Sequence, residues 1–177
     1  MNETDTLVVE GWNGVRKLKG IIAVNGSKND ALQALAASLL FASPLTLTNV
    51  PEIEDIERLS TLLIGLGFSI TKDKKTLTLD ASQLHNAVLD REIAKKMRAS
   101  IILTGPLLAR QGEVHFPHPG GCVIGERPID LFLGGFARMG AKINNRNEMY
   151  QLTTADGRLH GAEIFFRQQA VTATETF

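Results

Sequence analysis

Apolar residues recur at helical spacing in four stretches of the chain. Residues 27–41 (SKNDALQALAASLLF) read as a helix because Ala and Leu favour helices, and because Ser27 with Asp30 three positions later forms an acidic version of a capping box. Residues 52–67 carry apolar side chains three or four positions apart and end at Gly67, a frequent helix terminator. The pattern therefore predicts two helices in the first half of the chain.

The second half of the chain shows the same kind of pattern. Residues 91–110 predict a helix that bends at Gly105-Pro106. Residues 128–140 predict another helix, with Pro128 in its first position, where proline is well tolerated.

Short runs that are rich in β-branched residues or alternate in polarity separate these helices and predict strands. The runs are 6–11, 19–26, 45–50, 68–72, 76–80, 113–117, 141–145 and 149–155. Residues 62–70 also parallel residues 134–143, with one glycine and one isoleucine aligned. The order of elements predicts an α/β fold of two similar helix–strand–helix–strand-pair units, about 21–90 and 91–167, and the start of a third.

Composition places the chain among globular proteins. It has 177 residues, 44% hydrophobic and 21% charged, with Lys+Arg and Asp+Glu equal at 19 each. Zero net charge argues against bulk nucleic-acid binding. The apolar runs are too short to span a bilayer, and the start of the chain does not resemble a signal peptide. A single cysteine cannot form an internal disulfide, so a reducing intracellular compartment is expected.

The last residues carry a helix signal of their own. Thr172 with Glu175 three positions later reads as a capping box, so a helix is expected to begin just before the chain stops at Phe177. We therefore expect a truncated piece of a longer protein, and a frayed tail is the alternative.

Two cationic residues are candidates for anion binding. Lys28 and Asn29 lie at the start of the first predicted helix, where backbone N–H groups and the helix dipole favour anions. Arg98 lies where a charged run meets an apolar one. Both cations have an alternative as ordinary solvated surface side chains, which is the commoner situation.

The chain's single cysteine lies in an unusual stretch, PHPGGCVIGERPID (117–130). Glycines on both sides of Cys122 favour a mobile loop, and the positive charge of Arg127 near a helix start would favour the reactive thiolate. A buried, inert cysteine is an equal alternative. A zinc site formed by His115, His118 and Cys122 is a weaker one, since no second ligand cluster is visible.

The residues after the cysteine can recognise a nucleotide. The planar guanidinium of Arg127 can grip a phosphate or stack on a base. Pro128 and Asp130 follow, and the Asp130 carboxylate can accept a hydrogen bond from a uracil-like N–H. A capped helix with a local ion pair is the alternative.

Three stretches together resemble one family. GIIAVNGSKNDALQALAASLL (20–40), MRASIILTGPLLAR (97–110) and PGGCVIGERPIDLFLGGFARMGAKI (119–143) are similar to UDP-N-acetylglucosamine 1-carboxyvinyltransferases, and the similarity covers nearly the whole chain. The resemblance implies a cytoplasmic enzyme without a cofactor that moves the enolpyruvyl group of phosphoenolpyruvate onto the 3-hydroxyl of UDP-N-acetylglucosamine. It also implies inside-out α/β barrels of repeated units, with residues 1–20 pairing with a second domain and residues 21–177 forming an incomplete first domain.

The resemblance also assigns residues to roles. It implies catalytic roles for Cys122, Lys28 and Arg127, with Cys122 as the proton donor to the phosphoenolpyruvate methylene. The implied phosphoenolpyruvate contacts are Lys28, Asn29, Cys122 and Arg127, and Arg127 is expected near the phosphate and uracil. The implied nucleotide-sugar contacts are Asn29, Arg98, Arg127, Pro128, Ile129 and Asp130.

The chain departs from that family in two places. Phe132 stands where a histidine is usual, so a polar contact to the nucleotide is lost or replaced by packing. Gln168 and Thr172 lie where relatives have a phosphate loop, and their assignment to the nucleotide sugar is weak.

The resemblance leaves two other readings open, the shikimate-pathway enolpyruvyl transferase and a non-catalytic nucleotide-sugar-binding fragment. Since the relatives are more than twice as long, a missing C-terminal half is expected to complete the site, and turnover by this chain alone is expected to be negligible.

Overall fold

The computed structural model describes residues 8–11, 14, 17, 19–120 and 128–177. The helices are α1 (Lys28–Ala37), α2 (Glu54–Leu66), α3 (Arg91–Ala94), α4 (Thr104–Gln111), α5 (Asp130–Arg138) and α6 (Val171–Thr176), with 3₁₀ segments at Ser38–Leu40 and Arg98–Leu103. The strands are β1 (Leu45–Leu47), β2 (Ser69–Asp73), β3 (Thr76–Asp80), β4 (Glu113–Pro117), β5 (Ala141–Arg146) and β6 (Met149–Thr154).

The strands form two antiparallel sheets with the same topology. In the first sheet β3 lies between β1 and β2, and in the second β6 lies between β4 and β5. The central strand of each sheet is thus the second strand of a hairpin, β3 or β6. Its other neighbour is the strand that precedes the helix, β1 before α2 or β4 before α5. The described residues form a mixed α/β structure without a closed barrel.

In each half, an equivalent glycine lies where the chain passes from the helix into the hairpin that follows it. Gly67 follows α2 with φ +110° and Gly140 follows α5 with φ +93°. This left-handed backbone is easily reached only without a Cβ. The aligned glycines of the sequence thus have a shared structural role.

A continuous hydrophobic core joins the two sheets and their helices. It includes Leu35, Leu59 and Leu63 from the first half and Phe136 and Leu152 from the second, all with at most 1% of their surface exposed. Helices also pack across the halves, with α1 against the 3₁₀ segment Arg98–Leu103, α2 against α3, and α4 against Ser38–Leu40. The two halves therefore share one apolar interior.

Arg110 bonds the second half to the first. From the end of α4 its guanidinium donates hydrogen bonds to the carbonyl oxygens of Leu39 at 2.6 Å, Phe41 at 2.8 Å and Ala81 at 3.2 Å. Hydrogen bonds from a charged donor are about twice as strong as neutral ones, so this residue links the end of α1, the end of β3 and α4.

Two predicted strands are not formed. The described residues of 6–11, and all of 19–26, lie in irregular backbone. Ile21 and Ile22 are almost fully exposed, at 101% and 89%. Strand-like composition is not enough, because a strand needs a neighbour for its backbone hydrogen bonds and none of the described strands pairs with these segments.

The predicted helix 91–110 is interrupted earlier than expected. Met97 has extended backbone, with φ −140° and ψ 129°, and separates α3 from the 3₁₀ segment that leads into α4. Pro106 causes no break because it lies in the first turn of α4, where the missing N–H has no helical partner to lose.

Two predicted helix starts are also wrong in detail. Ile129 is the N-cap of α5, so Pro128 precedes the helix instead of opening it. Ala170 is the N-cap of α6, and Thr172 lies inside that helix, so the predicted capping box does not form. The Glu175 carboxylate instead accepts a hydrogen bond from the Gln33 side chain at 2.6 Å. Glu175 therefore ties α6 to α1, and α6 has no side-chain cap because its N-cap residue is an alanine.

Candidate functional site

A pocket of about 750 Å³ lies between the starts of α1 and α2, the 3₁₀ segment Arg98–Leu103, the start of α5 and the residues leading into α6. It brings together most of the described residues that the sequence predicts for the site. They are Lys28, Asn29, Arg98, Pro128, Phe132, Gln168 and Thr172. These residues come from four separate stretches of the chain, so their convergence is a property of the fold.

Two predicted residues lie beside the pocket and not in its lining. The Ile129 side chain is 2% exposed and belongs to the hydrophobic core. Asp130 is exposed in the first turn of α5. Cys122 and Arg127, the remaining predicted site residues, lie outside the described residues.

Lys28 is positioned by a capped helix and by an ion pair. Ser27 accepts a hydrogen bond from the Asp30 N–H at 3.3 Å, which starts α1 and fixes Lys28 as its first residue. The Lys28 ammonium pairs with the Asp55 carboxylate from the first turn of α2. Both side chains line the pocket, so the ammonium is already paired with a protein anion there.

Arg98 connects two walls of the pocket. It begins the 3₁₀ segment, and its Nη2 donates to the carbonyl oxygen of Pro128 at 3.1 Å. Pro128 directly follows Arg127 in the sequence. This hydrogen bond therefore holds the start of segment 128–177 against the 3₁₀ segment.

Phe132 contributes an apolar patch to the pocket. Its side chain is 5% exposed and packs in the core, while part of it faces the cavity. A ring packed in this way offers no hydrogen bond to a ligand, so only apolar contact is available at this position.

Besides Glu175, three charged residues that sequence reasoning did not assign to the site also line the pocket. They are Asp55, Arg58 and Lys96. Arg58 pairs with Glu54 at 2.5 Å and donates to the Lys96 carbonyl oxygen at 3.1 Å. No local motif marks these residues, because each reads as an ordinary surface charge on an amphipathic helix until the helices are packed together.

The charge of the pocket favours anions. Lys28, Arg58, Lys96 and Arg98 face two carboxylates, Asp55 and Glu175. Guanidinium and ammonium groups in a partly desolvated cavity bind phosphates strongly. The arrangement can therefore hold a phosphorylated ligand with more than one phosphate.

A neighbouring cavity of about 670 Å³ lies between α1, α4 and α5 and is lined mainly by apolar side chains. Gln33 and Glu175, which are hydrogen-bonded to each other, line both cavities. The lining of the apolar cavity includes no lysine or arginine, so it is less suited to an anionic ligand.

The zinc alternative gains no support from the described side chains. His115 lies 3.6 Å from Glu113, and Nδ1 of His118 is 3.2 Å from the carbonyl oxygen of Pro119. Within 8–11, 14, 17, 19–120 and 128–177, no three metal-ligating side chains come together, and the third candidate ligand, Cys122, lies outside these ranges.

No helix in the described part of the chain is both long and apolar enough to cross a membrane.

Comparison with known proteins identifies the family. The model of the family described as EPSP synthase (3-phosphoshikimate 1-carboxyvinyltransferase) matches residues 12–177. The chain belongs to the EPSP synthase family of enolpyruvyl transferases. This match and the chain's curated relatives together confirm the predicted family resemblance.

Among curated members, the chain is similar to UDP-N-acetylglucosamine 1-carboxyvinyltransferases. It is 46% identical to the one from Shewanella amazonensis over 89% of this chain and 38% of the relative, and 45% identical to the one from Acinetobacter baylyi over 90% and 38%. The chain thus spans about 38% of the length of these enolpyruvyl transferases.

Solved enolpyruvyl transferases have the same fold. The enolpyruvyl transferase NikO from Streptomyces tendae superposes with a TM-score of 0.68 at 23% identity, over 81% of this chain and 31% of that one. EPSP synthase from Acinetobacter baumannii gives 0.70 at 18% identity, over 89% and 36%. The predicted fold class, an incomplete enolpyruvyl transferase-like α/β structure, is confirmed.

Proposed function

We propose that the whole protein transfers the enolpyruvyl group of phosphoenolpyruvate to the 3-hydroxyl of UDP-N-acetylglucosamine and releases phosphate, in the synthesis of peptidoglycan precursors. The observation that carries this proposal is the convergence of Lys28, Asn29, Arg98 and Pro128 in one cationic pocket. The curated relatives' shared name supports the choice of substrates.

The chemistry of the pocket suits these substrates. Phosphoenolpyruvate and a nucleoside diphosphate sugar together carry several negative charges, which four cationic side chains can meet. Lys28 and Asn29, at the first turn of α1, are proposed to contact phosphoenolpyruvate. Arg98 is proposed to contact the nucleotide sugar, and Gln168 and Thr172, which also line the pocket, are further candidates for that contact.

The uracil is proposed to lie against the start of α5. Asp130 is exposed there and can accept an N–H from the base, and Pro128 lines the pocket. Because the Ile129 side chain is buried, only its backbone could face the nucleotide. Phe132 would offer the ligand an apolar surface.

Cys122 is proposed as the acid that protonates the phosphoenolpyruvate methylene, and Arg127 as a phosphate contact. Both assignments rest on the family resemblance. Protonation of an enol ether carbon needs an acid held close to it. Gly120 and Pro128 flank the stretch that carries both residues, and Pro128 lines the pocket, which supports a role for this stretch at the site.

Turnover is proposed to require the remainder of the family's length. The chain spans about 38% of its curated relatives, so a completing second domain, with which residues 1–20 would pair, is part of the proposal. We also propose that the protein acts in the cytoplasm and without a cofactor.

The test measures ligand binding to this chain by isothermal titration calorimetry. UDP-N-acetylglucosamine should bind, and Arg98→Gln should weaken it about 10- to 100-fold, since a charge-assisted hydrogen bond contributes about 1.5–3 kcal/mol. Arg138→Gln, a charge change at an exposed residue of α5 outside the pocket, is the matched control. Phosphate release from phosphoenolpyruvate should be negligible for this chain alone.

A second candidate activity is the shikimate-pathway reaction, which the description of the family model favours. Shikimate 3-phosphate is therefore titrated in parallel. Binding of that ligand, without binding of UDP-N-acetylglucosamine, would replace the proposed acceptor. Binding of the nucleotide sugar by a completed protein that shows no turnover would favour a non-catalytic binding protein.

A further inference from the structure

The pocket contains an anion of the protein itself at the position where a ligand anion is expected. The Asp55 carboxylate pairs with the Lys28 ammonium, and both side chains line the cavity. Their side chains are 28% and 53% exposed, so the pair lies at the accessible wall of the cavity and not in the core.

Two other acidic side chains near the pocket are engaged elsewhere. Glu175 also lines the pocket, but its carboxylate accepts a hydrogen bond from Gln33. Glu54 pairs with Arg58 and is not part of the pocket lining. Asp55 is therefore the pocket carboxylate that neutralises the cation at the start of α1.

An ammonium that already holds one carboxylate binds a second anion less well, because part of its charge is neutralised. A dianionic phosphate attracts the ammonium more strongly than a carboxylate does, and three further cations of the pocket can share it. A phosphate held by several of these cations can thus displace Asp55 from Lys28.

We propose that Asp55 is a built-in competitor for Lys28, which holds the ammonium until a phosphate-bearing ligand takes its place. Asp55 thereby lowers the affinity of the pocket for any anion that binds Lys28, so an anion must be held by other cations of the pocket as well to bind tightly. The inference rests on the proposed function only for the identity of the phosphorylated ligand. Inorganic phosphate is a sufficient probe of the competition itself.

The experiment titrates inorganic phosphate into the chain and follows backbone amide shifts of α1 and α2 by NMR. Asp55→Asn should lower the Kd for phosphate about two- to fivefold, as expected for loss of a competing, partly exposed ion pair. Affinity for acetate should rise by a similar factor, because the same Lys28–Asp55 pair has to be broken for either anion. Asp55→Ser, which also removes the charge, serves if the first variant folds poorly.

Two controls separate this competition from a general charge effect. Glu57→Gln removes a carboxylate from the same first turn of α2, outside the pocket lining, and should leave the Kd unchanged. In a Lys28→Gln background, Asp55→Asn should give no further gain. Circular dichroism checks that each variant is folded.

Weaker phosphate binding by Asp55→Asn would overturn the proposal, because Asp55 would then position Lys28 instead of competing for it. Unchanged binding, binding too weak to measure in either protein, or a gain that persists without Lys28 would overturn it as well. Failure to bind UDP-N-acetylglucosamine, with the phosphate results as expected, would instead count against the proposed function alone.

Discussion

At some turns of this fold only glycine can be accommodated, and Gly67 is an example. It ends α2 with φ +110°, and a Cβ at this position would lie 2.3 Å from the Gln83 carbonyl oxygen and 2.6 Å from Nδ1 of His85. Backbone conformation and space therefore both exclude a side chain.

Gly67→Ala is expected to lower the free energy of unfolding by about 2–4 kcal/mol, from the strained backbone and the overlap together. Gly65→Ala, two residues earlier inside α2, is the control, because nothing lies within 4 Å of a Cβ there. It should raise stability by up to about 1 kcal/mol through helix propensity. Urea denaturation measures both, and equal effects of the two substitutions would contradict the explanation.

For single residues, the sequence predicts the structure correctly where the local chemistry of one residue decides how a helix begins or ends. Ser27 caps α1 and Gly67 ends α2 as predicted. The Thr172 capping box failed because α6 begins earlier, with Ala170 as its N-cap, and Glu175 instead accepts a long-range hydrogen bond from Gln33 that no local pattern reveals.

Among the elements, the β5–β6 hairpin is fastened to α3 by charge. Glu148, in the hairpin turn, pairs with Arg91 and lies 3.0 Å from the Lys95 ammonium. The hydrogen bond from Lys95, with the charges of Lys95 and Arg91, holds the pKa of Glu148 below its ordinary value of 4.5.

This shift predicts a pH dependence of stability. A carboxylate with a lowered pKa in the folded state stabilises the fold above its ordinary pKa, and the contribution is lost as pH falls through the lowered value. The protein should therefore be more stable than Glu148→Gln at pH 7, and the difference should disappear in acid below pH 4.5. Urea midpoints across this range measure it.

The control is Glu92→Gln on α3, since Glu92 makes no ion pair with another described residue. Its effect on the urea midpoint should be small at every pH. A pH-independent difference between the protein and Glu148→Gln would show that the carboxylate's charge is not what fastens the hairpin.

Element prediction succeeded where the apolar pattern and a nearby partner agree, as in the hairpin β2–β3. It failed at 19–26, where β-rich composition has no neighbouring strand within the described structure. It also missed the break at Met97, because an extended residue between two helical segments leaves the apolar spacing almost unchanged.

For the molecule as a whole, a shared core joins two sheets of the same topology. Leu63 of α2 and Leu152 of β6 are both fully buried in one cluster. Helices of one half pack on those of the other, so neither sheet has an interior of its own.

Unfolding should accordingly be cooperative across both sheets. Leu63→Ala should cost about 2–5 kcal/mol and should lower amide protection equally in β3 and β6. Ile64→Ala, the next position of α2 and 54% exposed, should cost about 1 kcal/mol or less. Hydrogen exchange measures these effects, and loss of protection confined to β3 would indicate two independent halves.

The pocket is also a property of the whole molecule. Sequence motifs identified Lys28 and Arg98, which line it, because each matches a recognisable stretch. Asp55, Arg58 and Lys96 could not be identified in this way, because helix packing alone brings them to the same cavity.

Gly120 adds a practical consequence for protein engineering. A Cβ on this residue would lie 1.9 Å from the Lys95 carbonyl oxygen, and Lys95 is itself bound to Glu148. Any residue other than glycine would push the Lys95 backbone away from position 120, although the ion pair with Glu148 holds Lys95 in place. Libraries that vary the thiol-bearing stretch should therefore keep position 120 constant and begin their diversity at the next codon.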